Sequence, residues 1–255
     1  MRHLVPRVLV ALKRLEVLLR RQRHPRRRPH QPRPRLRPIE RHAVTNLRQQ
    51  YLDAAGTATG LLAADEVAAA WTADSALEGF TVAGLAGHLA AQIWGAAAAL
   101  EGDYTGKDTI TLMEHFGRAK WIKTDLDNEA NTKVRDGGRR LAEPGPEALL
   151  EGTRERLARF ETALPALTGQ EQAGTDYWAY AMSLDEYLIT RIMELVVHTD
   201  DLAHSVGIAT PSFDSEPFDT AIRMLARLSV KRHGQAALVR ALARAERAPA
   251  DITGL

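Results

Sequence analysis

The stretch from Ser183 to Gly207, SLDEYLITRIMELVVHTDDLAHSVG, constrains the fold more than any other part of the chain. At 100° per residue, Leu184, Leu188, Leu195 and Leu202 fall within roughly 40° of one another on a helix. Ile189, Ile192, Met193 and Val196 cover the adjoining face. A helix apolar over so much of its circumference must be covered on several sides. Ser183 opens it with a capping-box pattern, and Gly207 supplies a C′ position at which it can stop. Only a helical assembly with this segment near its centre satisfies those demands. Plentiful alanine and leucine, few aromatics and short β-branched runs favour the same all-α class.

One file of this helix is nevertheless polar. Tyr187, Arg191, Glu194, His198 and Asp201 line up beside the leucine seam. Five polar side chains in one file are costly to bury unless they satisfy one another or bind something. Glu194 and His198 stand four residues apart, so a carboxylate and an imidazole point the same way and can converge on one metal ion. The same spacing equally suits an ion pair. A third ligand would have to come from another helix. His88, in VAGLAGHLAAQIW, is the best placed: it flanks an apolar stripe of Val82, Leu85, Leu89 and Ile93, and Gly84, Gly87 and Ala91 leave room for a close helix. A core histidine bonded to a backbone carbonyl is the other reading of that position. His115 sits in a polar excursion, His204 falls away from the file, and His233 lies in a basic tail.

The rest of the chain reads as helices around this one. A first helix is expected over about 44–71. A second begins after Thr81 and runs through VAGLAGHLAAQIWGAAAALEG. Residues 102–145 read as a long polar excursion with a short helical piece around TLMEHFGRAKWI. Pro146 opens a third long helix, and one or two more follow Pro211. Three segments result: a basic extension over 1–43, a helical body over 44–209 and a helical tail over 210–255 packed on it.

Charge separates the first segment from the others. Residues 1–41 hold fourteen of the 34 Lys and Arg residues but only two of the 32 acids, Glu16 and Glu40, leaving 20 basic and 30 acidic residues elsewhere. The Pro/Arg tract QRHPRRRPHQPRPRLRP cannot build a core and is expected to be disordered. No aromatic is interleaved to stack on bases, and the acidic body argues against nucleic acid as a partner. The chain has no cysteine, so disulfides and thiolate ligands are excluded. No run reaches the ~20 continuous apolar residues of a membrane span, and a cytoplasmic location is expected.

Two stretches carry a resemblance. WTADSALEGFTVAGLAGHLAAQIW is similar to the first signature of the DinB-like superfamily, and more narrowly to the metal-binding domain of the mycothiol-dependent maleylpyruvate isomerase family of actinobacteria. SLDEYLITRIMELVVHTDDLAHSVG resembles the second signature of that family, in the right order and at the right distance. The resemblance implies an up-down four-helix bundle holding a divalent ion, zinc above all. By motif position His88, Glu194 and His198 carry the three ligands. Arg191 would be an anion clamp or a partner of Glu194, and Asp201 would orient His198 from behind. The implied activity is thiol transfer or thiol-assisted isomerisation of a small electrophile, with mycothiol as the thiol that the cysteine-free chain lacks. Phe80 stands where the family has tryptophan, and Ala83–Gly84 replace a polar pair. The isomerase itself pairs this bundle with a C-terminal α/β domain, whereas the residues after Gly207 read as helix. A non-catalytic bundle that binds metal or a partner is therefore the alternative.

Overall fold

The computed structural model describes residues 47–118, 128–175 and 177–255. The basic extension expected over 1–43 lies outside the described residues. The fold is mostly helical. In chain order the helices are α1 (Leu47–Leu62), α2 (Asp65–Ala69), α3 (Val82–Glu101), α4 (Leu112–Arg118), α5 (Glu129–Ala142), α6 (Pro146–Ala163), α7 (Leu184–Ser205), α8 (Ser215–His233) and α9 (Gln235–Ala243).

The segment expected to be most enclosed is so. Leu184, Leu188, Leu195 and Leu202 of α7 are at most 1% exposed and join one core with Tyr51, Ala55 and Ala58 of α1, Leu85, Leu89 and Ile93 of α3, and Leu149, Leu157 and Phe160 of α6. On its other side, Met193 and Ile189 of α7 pack with Phe116 of α4 and Met224 and Leu228 of α8. Thus α7 lies against α1 and α3, which in turn lie against α6, while α8 packs on α7 and α1. Ser183 caps α7 by accepting a hydrogen bond from the Glu186 N–H at 3.3 Å, and Gly207 takes the positive φ of +76° that ends it.

Three departures from the sequence reading matter. The helix expected over 44–71 is broken: Ala64 takes an extended conformation (φ −69°, ψ 135°), and the short α2 that follows buries Val67. The turn redirects Val67 into the core, which a straight continuation would not do. A small sheet is also present. Strand β1 (Asp108–Thr109) pairs in parallel with β3 (Tyr180–Ser183), which pairs antiparallel with β2 (Gln172–Ala173). These strands are too short to show a period in the sequence, but β3 runs directly into the Ser183 cap and fixes where α7 begins.

The third departure is α5. Within the stretch read as an excursion, fourteen residues form a helix that lies along α3. Asn128 caps it by accepting hydrogen bonds from the Ala130 and Asn131 N–H groups, at 2.8 and 3.0 Å. Contact is backbone on backbone. A Cβ placed on Gly87 would overlap the Gly138 carbonyl oxygen, and one on Gly138 would overlap the Gly84 carbonyl oxygen. The glycines around His88 therefore do admit a close helix, but it is α5 and not α7. Helix α3 is long and apolar enough, by length and mean composition alone, to cross a bilayer, although His88 and Gln92 interrupt its apolar run; here it is a largely buried core helix.

Candidate metal centre

Helices α3 and α7 set the site. Thr81 caps α3 by accepting from the Gly84 N–H at 3.1 Å, which places His88 near the end of the second turn. On α7, Glu194 and His198 occupy the same face one turn apart. The three side chains meet across the α3–α7 contact. His88 Nε2 lies 3.2 Å from His198 Nε2 and 3.8 Å from Glu194 Oε2, and Glu194 Oε2 lies 3.0 Å from His198 Nε2. Among the described residues, these three form a cluster whose donor atoms could hold a metal ion.

The donor set fits such an ion. Ligands at about 2.0–2.1 Å from a tetrahedral centre are separated from one another by roughly 3.3 Å. The three observed separations, 3.0, 3.2 and 3.8 Å, bracket that value. Two imidazoles and one carboxylate are also a set that zinc and related divalent ions accept, and three protein ligands leave a position for an outside group. The side chains keep 15% (His88), 14% (Glu194) and 12% (His198) of their surface exposed, so the cluster is sheltered but reachable.

Protons hold the cluster together electrostatically. Burial works against a charged His198, yet its hydrogen bonds to Asp201 and Glu194 prevail and raise its pKa to about 9. Burial pushes the Glu194 carboxyl up, but hydrogen bonds from both histidines and the charges of His198 and Arg191 hold it well below the usual range. Burial lowers His88. A consistent arrangement is one imidazolium at position 198, one carboxylate and one neutral imidazole.

Each of the other anticipated residues has a definite place. Asp201 Oδ2 is 2.9 Å from His198 Nδ1, the position that fixes the ring and leaves Nε2 facing the cluster. Arg191 is held differently from one of its two expected roles. Its Nη1 donates to Gln92 Oε1 and its Nε to Thr190 Oγ1 at 2.9 Å, and its guanidinium lies 5.2 Å from the Tyr187 ring centre. Among the described residues it forms no ion pair with Glu194; the amide of Gln92 reaches it across the helix contact instead.

Two residues that the sequence reading passed over belong beside the cluster. Gln92, one turn beyond His88 and 2% exposed, donates through Nε2 to the His88 carbonyl at 2.9 Å while accepting from Arg191. Its i, i+4 relation to His88 was the available signal. His115, set aside as part of a polar excursion, is buried on α4. Its Nδ1 lies 3.1 Å from the Tyr180 hydroxyl, and its ring centre 4.7 Å from that of Trp178. Burial first, and then the Arg191 charge, lowers its pKa to about 4, with Glu194 opposing. His115 is therefore neutral near pH 7. Nothing in its local sequence signals this, because Trp178 and Tyr180 reach it only through the β1–β3 pairing.

A family model described as the mycothiol maleylpyruvate isomerase N-terminal domain matches residues 52–203, a span that contains α3, all but the last two residues of α7 and all three clustered side chains. No curated protein and no solved structure matches the chain.

Proposed function

Since this chain belongs to the mycothiol maleylpyruvate isomerase N-terminal domain family, we propose that His88, Glu194 and His198 hold a divalent ion, zinc by choice of ligands, and that the site serves a thiol-dependent transfer or isomerisation of a small electrophile. The observation that carries this reading is the convergence of three N/O donors from two distant parts of the chain at 3.0–3.8 Å. The reading includes an up-down bundle of α1, α3, α6 and α7, supported by the packing of α1 and α3 each against both α6 and α7.

When bound, such an ion supplies a fixed positive charge that lowers the pKa of a coordinating thiol. The remaining work falls to the chain. Asp201 accepts the Nδ1 proton of His198 and keeps the Nε2 lone pair turned inward. Gln92 and Thr190 hold the guanidinium of Arg191 beside the cluster, and its unused N–H groups can receive an anionic group of the substrate. Because the chain has no cysteine, the attacking sulfur comes from outside, and mycothiol is the thiol proposed.

Elemental analysis of the purified full chain tests the site: about one ion per chain is expected, lost in Glu194→Ala and His198→Ala. Unchanged metal content in both variants overturns the site. Incubation with mycothiol and a panel of small electrophiles tests the activity. A thioether product that requires the ion supports it, whereas a loaded protein that forms no product points to a bundle that binds metal or a partner without catalysis.

A further inference from the structure

Away from the cluster, two exposed helix faces carry matching rows of charge. On α8, Asp219, Arg223, Arg227 and Lys231 follow one another at four-residue intervals, and on α6 so do Glu147, Glu151, Glu155 and Arg159. All eight residues are exposed, and among the described residues none of their side chains has an ion-pair partner. Like charges one turn apart repel. Arg223 stands one turn from Asp219 and Glu155 one turn from Arg159, but Arg227 and Lys231 on α8 and Glu147 and Glu151 on α6 have only like-charged neighbours within their rows.

Set antiparallel, the rows complement each other at every step: Asp219 meets Arg159, Arg223 meets Glu155, Arg227 meets Glu151 and Lys231 meets Glu147. Set parallel, Asp219 would face Glu147 and Lys231 would face Arg159, like against like at both ends. Rows of residues four apart are the ridges that the commonest class of helix packing interdigitates. The surfaces suit a close approach. Beside the α8 row runs an open groove of about 440 Å³ whose apolar lining includes Met113, Val230 and Leu238. Beside the α6 row the exposed neighbours Ala148 and Ala158 are small.

We infer that α8 docks antiparallel on α6 of a second copy of this chain, with the acidic ridge of the one copy covering the basic row and groove of the other. The inference is independent of any bound metal. Charge complementarity selects the second copy as occupant. A generic acidic partner would have no reason to carry a basic residue opposite Asp219.

Sedimentation of the full chain at about 50 mM and about 500 mM salt provides the test, since the screening length shortens severalfold between them. Association is expected at low salt and at least ~10-fold weaker at high salt, as four exposed pairs allow. The triple variant Arg223→Glu/Arg227→Glu/Lys231→Glu and the triple variant Glu147→Lys/Glu151→Lys/Glu155→Lys should each self-associate at least ~10-fold more weakly. Mixed together they should associate with each other. Asp219→Arg should weaken association and Arg159→Asp in the same chain should restore it, which reports the antiparallel sense. Circular dichroism confirms that each variant folds. A monomer at low salt and about 100 μM chain, or folded triple variants that fail to associate when mixed, overturns the inference.

Discussion

Loading the cluster with a divalent ion should release one proton, and the site's own geometry sets the pH at which this happens. In the ion-free protein His198 is an imidazolium, its Nδ1 against Asp201 at 2.9 Å and its Nε2 against Glu194 at 3.0 Å. Its Nε2 must lose a proton before it can serve as a ligand. With a pKa of about 9, working at pH 7 lies about 2 units below that value, a penalty of about 3 kcal/mol or roughly 100-fold in apparent affinity. His88 is already neutral there, because burial lowers it. Apparent affinity should therefore rise about tenfold per pH unit from pH 7 and level off near pH 9, with a slope of one proton and not two. Chelator competition with Co²⁺ or Zn²⁺ measures the slope, and titration calorimetry in buffers of different ionisation enthalpy counts the proton. The sign can be checked on the ion-free protein. The raised pKa contributes stability that is full below about pH 6.5 and lost as pH climbs towards 9. The melting temperature of the ion-free chain should thus fall over the interval in which stabilisation by the ion grows. An affinity that is flat between pH 7 and 9 would refute the argument, and a slope of two would show that His88 is also charged.

Two further outcomes follow. Replacing Asp201 with Ala removes the group that fixes the His198 ring, and metal affinity should drop about 10- to 100-fold; the plateau of the pH profile should move to lower pH, as chelator competition will show. Replacing Gly138 with Ala forces a Cβ into the backbone of α3 beside His88, which should cost about 2–3 kcal/mol and lower the melting temperature by roughly 4–12 °C, a shift that calorimetry can read.

What could be read from the residue string followed the strength of local signals. Ser183, Gly207, Thr81 and Pro146 mark the ends of α7, α3 and α6 because caps and breakers act over three or four residues. The inward file of α7 was legible because burial of the opposite faces left five polar residues in a row. His88, Glu194 and His198 were anticipated from spacing and from family signatures, and they meet. Helix α5 was not legible. Its sequence EANTKVRDGGRRLA has little apolar surface and two glycines that look like breakers, yet Gly138 lies directly against the backbone of α3, while Gly137 faces open space. The capping Asn128 and the terminal Arg139 and Arg140 were the only available hints. His115 and Gln92 show the other limit: their roles depend on partners 65 and 99 residues away, Tyr180 and Arg191, which no local pattern encodes.

The glycine contact between α3 and α5 also governs how this chain can be shortened. Residues 129–142 look dispensable on paper, a hydrophilic insert between two stronger segments. They shield one side of a twenty-residue stretch greasy enough to enter a bilayer. Excising them would uncover the side of α3 that carries Gly84, Gly87 and His88, while α6 and α7 still cover the others, so a shortened chain would lose one wall beside His88.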